Sequence, residues 1–341
     1  MTTPTISVIV LAHDRRQYLT AAIDSLLQQD LDRNRFEIIV VKNFADEAID
    51  ARLEREGVHW VRCDEVPISA KVAEGIRQSQ GAVLTFLEDD DLYETSRLRQ
   101  IWESFQADPQ LGFYRNRFTY IGADGKPLRS SDIRAFRLRR ITKTNRVVLR
   151  PETKLQETNR LIGQYPDFNL SSSAIHRRVV DTIASVLTRV EVTIDTLLFF
   201  AALVAECSIL LDGDALTRYR VHGESSTLAG SGSPDARIDK LLQFADLTER
   251  DYLIIREFVA TFHRETALRL IDARIWVNRL TRLFRSPDSQ RRGFLALLRD
   301  VRPLADTYPV REDLVGVVGI LPFLVSPSLG RRLYHRQVSV R

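Results

Sequence analysis

The chain has 341 residues, 44% hydrophobic and 28% charged, with a net charge of +4 and a pI near 9.1. That balance excludes a disordered or fibrous protein and leaves room for one large domain with an appendage, or for two domains. Two cysteines, Cys63 and Cys207, are too few for a disulfide framework and lack metal-ligand spacing.

Residues 6–11 (ISVIVL) form an unbroken apolar, β-branched run, the pattern of a parallel strand covered on both faces. Asp14 is placed to cap the amphipathic helix that follows, with Leu19, Ala22, Ile23, Leu26 and Leu27 on its apolar face. Residues 36–41 (FEIIVV) repeat the buried-strand pattern and end at Lys42 and Asn43. A charged helix over 45–56, a short strand over 58–62 and a helix over 69–78 come next. This alternation implies right-handed crossovers and an α/β fold with a mostly parallel central sheet. Ligands of such sheets bind beyond the carboxyl ends of the strands.

Residues 82–87 (AVLTFL) read as a further buried strand, and they run straight into Glu88, Asp89, Asp90 and Asp91. Four adjacent carboxylates repel one another unless a cation or a donor-rich ligand sits among them. Hard divalent ions such as Mg2+ or Mn2+ prefer carboxylate oxygen and share sites with phosphates. A solvated acidic turn ahead of the helix that starts near residues 94–96 is the alternative.

Past a helix around 97–105, residues 113–128 suggest a hairpin turning at Asp124-Gly125. Residues 134–150, rich in arginine and weak in periodicity, read as a loose connection, either a solvated loop or a lid over an anionic substrate. A strand over 169–175, a helix over 177–187 and a strongly apolar helix over 192–206 follow, the last with Asp195 as its one acid before its final residue. Residues 216–222 (LTRYRVH) form a strand with Arg218 and Arg220 on one face and Tyr219 on the other.

The serine- and glycine-rich stretch 223–234 reads as a flexible linker. The expected division is 1–228 as the main domain, 229–234 as linker and 235–341 as a helical C-terminal region, with helices over 235–248, 249–284 and 289–302. Arg264, Arg269, Arg274, Arg279, Arg282 and Arg285 alternate with apolar residues and lack an aromatic stacking platform, which argues against nucleic acid. They are expected to meet anionic lipid head groups or to lie over the protein's own surface. Residues 314–329 are apolar but broken by Pro322 and Pro327, either a packed helical hairpin or an interfacial anchor. No run reaches the roughly 20 apolar residues needed to span a bilayer, and no leader pattern opens the chain. The expected location is the cytoplasm, free or at the inner face of the cell membrane. The oligomeric state stays open.

Taken together, ISVIVLAHDR, FEIIVV, GIRQSQGAVLTFLEDDDLY and LTRYRVHGESS, in that order and spacing, resemble the family 2 glycosyltransferases of the GT-A fold over roughly residues 5–226. The resemblance implies an inverting, metal-assisted transferase that takes a sugar from a UDP- or GDP-linked donor to a glycan or lipid-linked acceptor. It implies that Leu11, Ala12 and His13, with Arg15 nearby, hold the nucleobase and ribose. Asn43 stands where the family usually has an aspartate, and an amide can donate as well as accept. Lys71 either contacts the diphosphate or is a surface lysine. The acid pattern aligns with residues 88–91, giving Asp90 and Asp91 as metal ligands and Glu88 and Asp89 to the donor, with the register open by one residue. His222 approaches the metal or diphosphate. Asp195 is the candidate general base, since burial would raise its pKa toward neutrality. Ser171, Ser172 and Ser173 would face the acceptor. A non-catalytic nucleotide-sugar or glycan binder, and a transferase to polyprenyl phosphate that needs no base, are the competing readings.

Overall fold

A computed structural model describes residues 5–128, 145–161, 166–222, 234–286 and 291–300, and singly Pro322, Ser326 and Ser328. In chain order the elements are β1 (Ile6–Ala12), α1 (Arg16–Leu27), β2 (Phe36–Lys42), α2 (Glu47–Arg55), β3 (His59–Arg62), α3 (Ile68–Gln78), β4 (Val83–Glu88), β5 (Leu92–Tyr93), α4 (Arg97–Ala107), β6 (Leu111–Ile121), β7 (Val147–Leu149), α5 (Lys154–Leu161), β8 (Ser173–His176), α6 (Arg177–Val180), α7 (Ile194–Val204), β9 (Ser208–Arg220), α8 (Pro234–Ala260), α9 (Glu265–Arg285) and α10 (Arg291–Asp300).

The unbroken apolar runs of the first strands are explained by two cores, one on each face of the sheet. Along β1, Ile9 and Leu11 point into one core and Ile6, Val8, Val10 and Ala12 into the other; β2 and β4 alternate the same way. Helix α3 lies so close on β1 that a Cβ at Gly75 would meet Ile9 Cγ2 at 2.3 Å. The sheet runs β3-β2-β1-β4-β8-β6-β9-β5, with β7 also on β9. Its first four strands are parallel, as the sequence leads one to expect. The second half is mixed: β8 is antiparallel to both β4 and β6, while β6 and β9 are parallel. This is an α/β fold with C-terminal helices. Those helices join the main core, because Ile255, Phe258 and Val259 of α8 and Leu270 and Ile271 of α9 pack into the same cluster as Ile9 and Phe86.

Several local expectations change. Asp14 does not cap α1, which has no side-chain cap; its backbone is left-handed (φ 61°) and its carboxylate accepts from the Asn43 amide at 3.0 Å. Of the arginine-rich stretch, 134–144 lies outside the described residues, and 147–149 is strand β7, paired with the front half of β9. Leu170–Ser172 is a 3-10 turn rather than strand, and 177–187 breaks into α6 and the 3-10 turns Asp181–Ile183 and Leu187–Arg189. The break between the long C-terminal helices falls at residues 261–264, not near 248. The linker over 229–234, apart from Pro234 at the start of α8, and the apolar stretch 314–329, apart from three single residues, lie outside the described residues. Among the described residues no helix is long and apolar enough to cross a membrane. Cys63 and Cys207 are both free thiols.

Candidate active site

β1 and β4 are parallel neighbours with Leu11 opposite Glu88, so their carboxyl ends deliver residues 11–15 and 88–91 to one place. Asp89 locks the two ends together. Its N–H donates to Leu11 O at 3.1 Å, and its Oδ2 accepts from the His13 N–H at 2.8 Å. Burial pushes the Asp89 carboxyl up to about 7 against the pull of Arg15. The Arg15 guanidinium spans two acids, 2.7 Å from Asp89 Oδ1 and 2.5 Å from Asp90 Oδ2. On its other side Asp90 Oδ2 meets His222 Nε2 at 2.9 Å. The His222 ring lies against Tyr18 (centroids 5.1 Å), whose face also carries Arg220 at 4.7 Å.

The four acids thus alternate in use. Glu88 and Asp90 face the cleft, whereas Asp89 and Asp91 lie behind it. Asp91 is fully buried; Oδ1 accepts from the Arg220 N–H at 2.9 Å, and Oδ2 has no hydrogen-bond partner of normal geometry. Burial, and then the neighbouring Asp90, favour the protonated form of Asp91 and of Glu88. Among the described residues no three His, Cys, Asp or Glu side chains form a ready metal cage. The Asp90 oxygen beside the His222 nitrogen, with the orphaned Asp91 oxygen behind, is nonetheless a donor set that suits a divalent ion completing its shell with phosphate.

Other expected residues divide in the same way. Leu11, His13, Arg15 and Lys71 line the cleft. Lys71 Nζ donates to Glu65 O at 2.7 Å, and burial lowers its pKa; burial and then Lys71 lower that of His13. Ala12 is buried in the strand, and Asn43 pairs with Asp14 beyond the cleft lining. Lys42, at the end of β2, turns into the core, over the Trp60 ring at 4.0 Å and 2.7 Å from Asp50. Ser171 and Ser172 brace the loop instead of lining the cleft: Ser171 Oγ accepts from the Glu88 N–H, and Ser172 Oγ meets the Asn169 amide.

Across the cleft, about 840 Å3 in volume, stands Asp195 in the first turn of α7. Its oxygens accept the N–H groups of Thr196 at 2.8 Å and Asn169 at 3.1 Å. Burial, and then the charge of Asp167, push it up to about 7, while both hydrogen bonds and Arg274 pull the other way. Two acids that the sequence reading does not single out, Asp167 and Asp251, build this side together with Arg274, which is buried and neither meets solvent nor lies over the surface as expected. Asp167 accepts from Thr196 Oγ1 at 2.9 Å and from the buried Arg274 of α9. Asp251 of α8 accepts from the N–H groups of Glu191, Val192 and Thr193 at 2.9, 2.7 and 2.9 Å, and so fixes the loop that leads to Asp195. Beyond Asp195 the cleft runs between α8 and α9, past Phe244, Tyr252, Val277 and Arg285. The α9 arginines mostly pair within the chain, Arg279 with Glu249 and Arg282 with Asp246.

Comparison with known proteins bears on the family and the fold. The family model described as Glycosyl transferase family 2 matches residues 7–178. An uncharacterized glycosyltransferase of Rickettsia bellii is 26% identical over 136 residues, 38% of this chain and only 19% of the relative's length. Among solved structures, S. aureus TarS 1–349 in complex with UDP-GlcNAc is similar at a TM-score of 0.53 and 14% identity, over 96% of this chain and 92% of that one. The mannosyltransferase PcManGT from Pyrobaculum calidifontis, in complex with GDP-Man and Mn2+, gives 0.53 and 13%, over 100% and 87%. At such identities the likeness is one of fold.

Proposed function

The chain belongs to glycosyl transferase family 2, and from that premise we propose that it moves a sugar from a UDP- or GDP-linked donor to an acceptor hydroxyl of a glycan or glycolipid, inverting the anomeric carbon. One observation carries this reading: Arg15 and Asp90, the latter backed by His222, line the same cleft as the half-buried Asp195 carboxylate. Structures of the same fold hold UDP-GlcNAc in one case and GDP-Man in another, so both bases stay candidates.

Leu11, Ala12 and His13 at the tip of β1 would seat the nucleoside, with Asn43 at the rim. Arg15, held by Asp89 and Asp90, would offer one cation to the diphosphate, and Lys71 a second. Bound Mg2+ or Mn2+ would supply Lewis-acid relief of the charge that builds on the departing diphosphate. Asp90 and His222 would hold the ion, with Asp91 behind them and Glu88 toward the donor; Asp89, turned away from the cleft, would act through Arg15 and the His13 N–H that it holds. The acceptor would enter along the arm between α8 and α9, so that its hydroxyl meets Asp195. Asp195 removes the hydroxyl proton as the oxygen attacks the anomeric carbon from the face opposite the diphosphate. A base with a pKa near 7 is well matched to that task.

Calorimetry with a panel of UDP- and GDP-sugars, with and without Mn2+, followed by turnover with each binder, tests the reading. Cation-dependent binding of one donor, with transfer or slow hydrolysis, is expected. Tight binding with no turnover would make the protein a nucleotide-sugar binder, and no binding by any donor would remove the reading. Residues 1–228 would form the transferase part and 235–341 a helical region that closes its acceptor side. Contact of residues 314–329 with the inner face of the membrane is tested by liposome flotation with and without 314–341, and no flotation of either form rejects it.

A further inference from the structure

Arg274 differs from its neighbours on α9. Arg279 and Arg282 reach surface carboxylates, with side chains 43% and 46% exposed. Arg274 is 5% exposed and lies in the wall of the cleft. Its guanidinium donates to Asp167 Oδ1, and Asp167 is 3% exposed. The second oxygen of Asp167 takes the Thr196 hydroxyl at 2.9 Å, and the N–H of Thr196 donates to Asp195 at 2.8 Å. A contact chain therefore runs from a C-terminal helix to the carboxylate assigned above as base.

A buried ion pair is poor evidence of stability, because the cost of desolvating both charges offsets their attraction. Arginine is seldom buried fully unless it is paired, and Arg274 is paired with an acid of the cleft wall. We propose that Arg274 is a positioning residue for the reaction: it holds Asp167, and through Thr196 it fixes Asp195 while offsetting the negative charge that Asp167 directs at that carboxylate. The proposal rests on Asp195 being the base.

Among the described residues, four titratable groups interact with the charge of Asp195. Asp167 and Arg274 act on it with opposite signs, and Glu88 at the end of β4 and Arg115 of β6 also feel its charge. The signs follow directly. Loss of Arg274 leaves Asp167 uncompensated and raises the pH at which Asp195 ionises; loss of the Asp167 charge lowers it.

The full chain labelled with 13C-aspartate reports this without donor or acceptor, the Asp195 carboxyl signal being assigned by its loss in Asp195→Asn. Arg274→Gln should move the Asp195 titration up by about one pH unit, and Asp167→Asn should move it down by a similar amount. The double variant should fall between them, and Arg274→Lys should stay near wild type. If Arg274→Gln fails to fold, Asp167→Asn and the double variant carry the test. The acid limb of turnover should follow the same shifts. Titrations of Asp195 within about 0.2 unit of wild type in all folded variants would overturn the coupling. A titration that moves while the turnover profile stays fixed would remove Asp195 as base, and with it any bearing of Arg274 on the reaction.

Discussion

The two walls of the cleft are built in opposite ways. The wall that holds Arg15, Asp89, Asp90 and His222 comes from strand ends, and its acids are contiguous in sequence. The wall that holds Asp195 is assembled from residues far apart in the chain: Asp167 from a loop, Asp251 from α8 and Arg274 from α9. In the proposed reaction the first wall would meet the diphosphate leaving group, and on the second Asp195, kept partly out of water, would accept a proton. Residues of the C-terminal helices line the same cleft, so these helices help to build the candidate site and do not merely append to it.

Substitutions on the two walls should therefore fail differently. The largest effect is expected at the strand-end wall. Asp90→Ala removes the acid shared by Arg15 and His222, and turnover should fall by ~10⁴-fold with loss of its response to added Mn2+. Asp195→Asn should lower turnover by roughly 10²–10⁴ while the donor Kd stays within about twofold. Turnover near wild type in that variant would fit an acceptor that arrives already anionic, such as a lipid phosphate.

The walls should also separate by pH. With Asp195 held near 7, turnover should fall about tenfold for each unit below that point, and flatten above it. Stability should respond with the opposite sense. A carboxyl whose folded pKa lies above its unfolded value favours the folded state when protonated, and that contribution is lost as pH rises from about 4 through 7. Asp195→Asn should then raise Tm at pH 8 more than at pH 5. An equal change at both would show that Asp195 ionises as it does in the unfolded chain.

Smaller effects probe the second wall alone. Asp251→Ala strands three backbone N–H groups and should cost about 3 kcal/mol of stability, with donor affinity preserved. Arg282→Ala breaks a half-exposed pair with Asp246 and should cost under about 1 kcal/mol. Equal losses in the two denaturation curves would erase the distinction between site-building and surface contacts on these helices.

This contrast also explains what could be read from the sequence. Strands β1, β2 and β4 are evident because both faces are buried and their side chains are mostly apolar, with Ser7, Glu37 and Thr85 the exceptions within the runs. The acids at residues 88–91 stand out because they are adjacent, although only the fold shows that Glu88 and Asp90 face the cleft while Asp89 and Asp91 do not. Asp195 is visible as a lone acid near the start of an apolar helix. Asp167, Asp251 and Arg274 occupy ordinary polar settings, and nothing in their spacing links them. The same holds for β9, whose front half contains Asp212-Gly213-Asp214, a sequence that reads as a turn but continues as strand beside β6 with an irregular register. The break at residues 261–264 carries neither Gly nor Pro to announce it; His263 takes the left-handed conformation there (φ 53°).

A crystal grown with Mn2+ and the nucleoside diphosphate of the tightest-binding donor tests the account most directly. It should show an anomalous manganese peak against Asp90 and His222, with the terminal phosphate directed toward Asp195 across the cleft. A nucleotide bound elsewhere, or manganese density away from Asp90, would contradict it.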